Sequence, residues 1–177
     1  MNLMLKTVTL VSTALVLLGN ARAQSSTNVV LVSANATYRY FKGLTEASTP
    51  TEAWRKPGFD DAAWLSGQAP FYYDVDGTPV RFTGNTPIGD MQNSYSSVFL
   101  RGRFVVANAG AISNVFLAGQ CDDGYIAWIN GTEVWRFNAP AGQPAFNSMA
   151  PSTAPEPLTI YSNLLPDPRT YLVDGTN

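Results

Sequence analysis

Cys121–Asn138, CDDGYIAWINGTEVWRFN, decides how the chain is read. Two strand-like runs, Tyr125–Ile129 and Thr132–Phe137, flank Asn130-Gly131. A type I′ turn needs positive φ at both central residues, and Asn-Gly tolerates that best, so the pair predicts a two-residue hairpin. The tight turn predicts that Ile129 faces Thr132, Ala127 faces Val134 and Ile126 faces Trp135. Side chains alternate along a strand. Ala127, Ile129, Thr132 and Val134 are therefore expected on a core face, and Ile126, Trp128 and Trp135 on an aromatic platform. Asp122-Asp123-Gly124 reads as a second turn, entered from the apolar run Val115–Ala118.

Upstream, Ser97–Val106 (SVFLRGRFVV) reads as one strong strand. Phe99, Arg101 and Arg103 share a face, while Val98, Leu100, Phe104 and Val106 share the other only if the register slips once. Gly102 is where a bulge would allow that slip. Val29–Val32 is an apolar run, and the aromatics of Thr37–Phe41 alternate as in a strand. Trp54–Trp64 (WRKPGFDDAAW) is a loop broken at Pro57-Gly58, with Asp60 or Asp61 placed to cap one short turn. Trp54, Phe59 and Trp64 are expected to pack over one mouth of the fold, with a sugar-stacking shelf as the functional alternative. Gly67–Asp76 reads as a turn and a short aromatic strand, and Thr78–Asp90 as a long loop. Downstream, Ala139–Pro157 is a surface excursion without strand periodicity, Leu158–Tyr161 a short apolar run, and Leu165–Asp174 irregular. No internal repeat or useful helical period follows residue 23. Short strands separated by turns predict an all-β, antiparallel sandwich.

Composition bounds the function. The 177 residues carry 14 % charged side chains, a net charge of −2 and no histidine. Nothing basic clusters, which argues against a nucleic-acid or anionic-lipid partner. The absence of histidine excludes Ser-His-Asp and Cys-His catalysis and His-containing zinc sites. Cys121 is the one cysteine, so no disulfide forms within the chain, and a small buried apolar role is expected for it. At the N-terminus, Lys6, the apolar run Val8–Leu18 and Ala21-Arg22-Ala23 predict a secretory signal peptide over residues 1–23, cleaved after Ala23. Residues 24–177 then form a single domain, secreted to the periplasm or the extracellular space. No later run is long enough for a membrane span.

These elements, in this order, resemble the galactose-binding-domain-like β-sandwich, a jelly-roll module of large exported bacterial proteins. Tyr38-Arg39-Tyr40, Trp54, Phe59-Asp60-Asp61, Trp64, Gly67 and Ala69-Pro70-Phe71 carry the first part of the resemblance. Phe99, Arg101, Phe104, Val106, Asp122-Asp123-Gly124, Asn130-Gly131, Glu133-Val134, Arg136 and Asn138 carry the second. The resemblance implies a jelly roll that binds carbohydrate or mediates adhesion without catalysis of its own. In such modules a Gly-Thr-Asn like Gly175–Asn177 is followed by an apolar strand. The resemblance therefore implies a domain that lacks its last strand or strands, marginally stable alone and part of a larger protein.

Trp128, Trp135, Arg136 and Asn138 form the expected ligand surface. A flat ring stacks on a sugar's C–H face while Arg and Asn hydrogen-bond hydroxyls. Asp122 and Asp123 are weaker ligand candidates. They could contribute to a Ca²⁺ site, but that ion takes six to eight oxygens, and capping a turn is the ordinary role of Asp there. No other cofactor is expected. A glycosidase would need two carboxylates about 5–9.5 Å apart across the scissile bond, a spacing that sequence does not show. Asn35-Ala36-Thr37 and Asn130-Gly131-Thr132 match the glycosylation pattern, incidentally in a bacterial-looking chain. The expected function is a non-catalytic exported module that binds a polysaccharide or glycan. A structural or adhesion spacer contacting protein, or other domains of a larger chain, is the alternative, and a free-standing hydrolase fits worst.

Overall fold

The computed structural model describes residues 28–73, 84–154 and 158–177 in full and the backbone of residues 4–13. The cleavage site at Ala21–Ala23 lies outside the described residues. So do parts of the predicted Gly67–Asp76 strand, the Thr78–Asp90 loop and the Ala139–Pro157 excursion. Thirteen strands are found among the described residues. In chain order they are β1 (Met4–Thr13), β2 (Asn28–Val32), β3 (Thr37–Lys42), β4 (Leu65–Gln68), β5 (Phe71–Tyr72), β6 (Thr86–Pro87) and β7 (Val98–Arg101). Then follow β8 (Val105–Val106), β9 (Asn114–Asp122), β10 (Tyr125–Ile129), β11 (Thr132–Phe137), β12 (Tyr161–Leu164) and β13 (Gly175–Thr176). The helical content among the described residues is four single 3₁₀ turns. The fold is all-β, and its strands pair antiparallel except for the short parallel pair β5–β6.

The largest sheet has the order β12-β9-β1-β2 and a second the order β4-β3-β7; β10–β11 and β13–β8 pair by themselves. β9 alternates strictly between buried and half-buried residues, as a strand with one core face should. Val115, Leu117 and Cys121 of β9 meet Tyr125, Ile129 and Val134 of the hairpin and Leu165, Tyr171 and Leu172 of the C-terminal segment in the main core. Each fully buried apolar side chain of that kind contributes roughly 1.5–3 kcal/mol. Cys121 is buried there as expected, and burial, reinforced by the charges of Asp122 and Asp123, pushes its thiol up to about 12.

The sheet β4-β3-β7 is covered on both faces. Tyr38, Tyr40, Val98 and Leu100 point to a second core around Phe71, Ile88 and Met91. Phe41 and Phe99 point the other way, to a third core built on Trp54 and Trp64. The tryptophan loop therefore covers the Phe41/Phe99 face of this sheet. The sheet needs that cover because its aromatics emerge on both sides. Asp60 accepts from the Ala62 N–H at 3.0 Å, so its cap is one turn long.

Two expectations are corrected. Ser97–Val106 is two strands, not one bulged strand. Gly102 packs on the Tyr38 ring so closely that a Cβ would lie 2.8 Å from Cε1. Beyond it the chain turns to pair Phe104 with Asn177 through two backbone hydrogen bonds of 2.8 and 3.1 Å. After the excursion, Tyr161 of the apolar run Leu158–Tyr161 opens β12. In the hairpin, Asn130 and Gly131 have positive φ and Ile129 faces Thr132, but the register shifts after Trp128↔Glu133. Ala127 faces Trp135 and Ile126 faces Arg136. The extra residue is Val134, which turns into the main core, with Trp135 packed against the same core. Trp128 instead joins the tryptophan-loop core. A one-residue bulge has divided the expected platform between two faces.

Candidate binding cleft

The tryptophan loop is folded by its own polar groups. The Ser48 hydroxyl donates to the Pro50 carbonyl at 2.6 Å and accepts from the Trp54 N–H at 3.0 Å. This turn aims Arg55 across the hairpin, where its guanidinium carbon lies 4.0 Å from the Trp128 ring centroid. Trp54 meets the same ring edge-on at 5.4 Å. Arg55 donates to the Gln143 side-chain oxygen at 2.6 Å, while its Nε is buried without a partner. Burial lowers the pKa of Arg55, against the opposing pull of Glu133 and Glu52.

Between this stack, β7, the hairpin and the excursion after Asn138 lies a cleft of about 320 Å³. That volume falls within the range of small-ligand pockets, roughly 300–1,000 Å³. Its walls are apolar, with Leu100, Ile126, Ala127 and Met149 among them, and Arg55, Lys56 and Gln143 bring polar groups to it. Arg101 and Arg103 also border it, but both donate to the same Asp61 oxygen, at 2.9 and 2.8 Å. No Asp or Glu is among its described lining residues.

Of the sequence-predicted site residues, the structure brings Trp128 and Asn138 to the cleft. Trp128 presents one face to Arg55. Asn138, at φ +43°, donates to the Asp123 carbonyl at 3.1 Å and the Ser152 carbonyl at 2.6 Å, and accepts from the Ser152 hydroxyl at 2.8 Å. The other four lie elsewhere. Trp135 packs on the main core beside Tyr125. Burial pushes the Tyr125 phenol up to about 12 and the Trp135 N–H tempers the rise. The pair is not aligned as a hydrogen bond, however, since both polar atoms are buried without a partner of that geometry. Arg136 holds both Glu133 oxygens, at 2.8 and 2.7 Å, and donates to the Pro140 and Gly142 carbonyls. Those hydrogen bonds keep Glu133 ionised, with its pKa lowered. Buried Asp123 accepts from the Ala154 N–H at 2.8 Å, so it anchors the excursion, and Asp122 ends β9. Among the described residues no group of three or more Asp, Glu, Cys or His could hold a metal ion.

Arg55, Lys56 and Gln143 were not singled out from sequence. The signal for the first two was a cation pair directly after a tryptophan, in Trp54-Arg55-Lys56-Pro57. Nothing local marks Gln143. Compared with known family models, curated proteins and solved structures, the chain matches none.

Proposed function

We propose that this chain is a non-catalytic, exported β-sandwich module that binds a carbohydrate in the cleft bordered by Arg55 and Trp128. The supporting observation is the cleft itself: about 320 Å³, apolar walls, amide and guanidinium groups at its edge, and no acidic side chain among its described lining. Sugars offer both an apolar C–H face and a ring of hydroxyls, and such a space suits both. Hydrolysis would instead call for two carboxylates flanking the bond. Export with cleavage after Ala23 and membership of a larger surface or secreted protein belong to the same reading.

A glycan array with wild type and Ala145→Trp tests it. Ala145 borders the cleft, so a large ring there fills the space without removing a core side chain. Binding by wild type and its loss in the variant is the expected result. Retention of every glycan by a folded Ala145→Trp would move the site elsewhere, and no binding by either would remove the carbohydrate.

The outer strand β12 favours a second reading, a spacer or adhesion module. Among the described residues it pairs on one side only, and Ile160, Tyr161 and Leu164 in and beside it are exposed. Unpaired strand edges with apolar side chains are surfaces other chains add to. Leu164→Lys is expected to weaken assembly with a protein partner while leaving glycan binding intact.

A further inference from the structure

β1 lies between two rails. On one side it pairs antiparallel with β9 from Met4↔Asp122 to Thr13↔Asn114, with one register shift. On the other it pairs antiparallel with β2, from Leu10↔Val32 to Thr13↔Asn28. It is an interior strand of the largest sheet, although residues 1–23 carry the features of a cleaved leader. The rail β9 is fixed independently of it. Val115, Leu117 and Cys121 are anchored in the main core, and β12 pairs along the far edge of β9.

Removal of residues 1–23 therefore opens a slot along β9 that β2, held by Leu31 and Val32 against the main core, borders where Leu10–Thr13 lay. The backbone N–H and C=O groups of β9 that face the slot need partners. A strand inserted there satisfies β9 and β2 together. We propose that the exported domain is a strand acceptor: the slot between β9 and β2 takes an extended segment of another polypeptide, antiparallel to both rails. The inference rests on the reading of residues 1–23 as a leader. The chemistry of the occupant follows from the segment the slot now holds, MLKTVTLVST, which is rich in Val, Leu and Thr and has no proline or acid. A partner strand matches it in length, in β-branched and apolar content, and in lacking proline, which cannot donate to a ladder.

The test starts from the full chain carrying a specific protease site between Ala23 and Gln24. After cutting, a labelled peptide of residues 4–13 is added in excess, beside the same peptide with Val8→Pro and Leu10→Pro. The wild-type peptide is expected to enter at one per domain, to raise the melting temperature, and to slow amide exchange over Val115–Cys121 by at least about tenfold. The proline peptide is expected to do none of these. If the cut domain precipitates, recovery of soluble domain by the wild-type peptide alone supports the proposal, and recovery by neither peptide overturns it. A cut domain that sheds its leader, keeps its β9 amides protected and ignores both peptides would show that the slot closes on itself. Pairing of two cut domains through their β9 strands, with no uptake of peptide, would replace the partner strand with a second copy. N-terminal sequencing of the exported protein checks the leader separately. A chain beginning at Met1 would overturn the leader reading, whatever the peptides do.

Discussion

Asp61 is the residue on which the polar structure beside the cleft turns. It is 5 % exposed, and one of its oxygens accepts from both Arg101 and Arg103. The Arg101 side chain is 10 % exposed and that of Arg103 is 51 %, so the first pair carries the energy and the second is screened. Arg101 also donates to the Trp54 and Lys56 carbonyls, which fastens the tryptophan loop to β7. Burial alone would raise the pKa of Asp61, but the two arginine hydrogen bonds outweigh it and the pKa is lowered. A carboxylate with a lowered folded pKa contributes stability above its unfolded value, about 3.9. That stability is lost as the pH falls through the folded value. Asp61→Ala leaves Arg101 buried and unpaired, a change that costs about 3–5 kcal/mol. Urea unfolding at pH 7 should show that loss. Wild type should also weaken from about pH 4 downward, while Asp61→Asn, already weakened at pH 7, should show a shallower acid limb. Equal acid slopes in the two proteins would mean that Asp61 is not the group being protonated.

At the scale of elements, the start of the hairpin β10–β11 is set by close backbone approach. Gly124 enters β10 directly against the Asn138 carbonyl that leaves β11, and a Cβ there would overlap that oxygen. Because the obstacle is backbone, no side chain can swing aside. Gly124→Ala should cost about 3 kcal/mol, the upper end of ordinary overpacking, and thermal unfolding of the variant measures it. Gly58→Ala, where a Cβ meets nothing within 4 Å, serves as the control. Asn130-Gly131 made this hairpin legible in the sequence, because positive φ at adjacent positions is a local demand with few residue solutions. The bulge at Val134 was not legible, since the choice between two registers is made by the main core, to which β9 and the C-terminal segment contribute. The same distinction holds at the cleft. Trp128 was visible as an aromatic on a strand. Arg55 and Gln143, 88 residues apart, meet through a fold that no local pattern encodes. The break after Gly102 was half legible: the glycine marked the place, but its cause, the Tyr38 ring, comes from another strand.

Across the whole molecule, three cores meet around the cleft. The main core, the core under β3 and β7, and the tryptophan-loop core all contribute residues to the cleft: Leu117 and Ile129 from the first, Val98 and Leu100 beside the second, Trp54 from the third. The cleft opens to solvent, so its apolar walls, bordering about 320 Å³, lack the contacts of a close-packed interior and leave apolar surface in water. Ala127 is half-buried at that boundary and small enough to take a larger side chain. Ala127→Leu should therefore stabilise the fold by about 0.5–2 kcal/mol, as cavity-filling changes do. In a chain of this size that raises the melting temperature by about 1–8 °C. The same leucine occupies ligand space, so glycan affinity should fall as stability rises. A ligand that fills the cleft should stabilise wild type, by about 2.7 kcal/mol at a hundred times its dissociation constant, and Ala127→Leu by less. Calorimetry of both proteins with and without glycan reads the four values together. A variant that melts lower than wild type would show that the walls already close on each other and leave no room for the leucine. A variant that melts higher yet binds glycan as tightly as wild type would keep the cleft but place the ligand outside it.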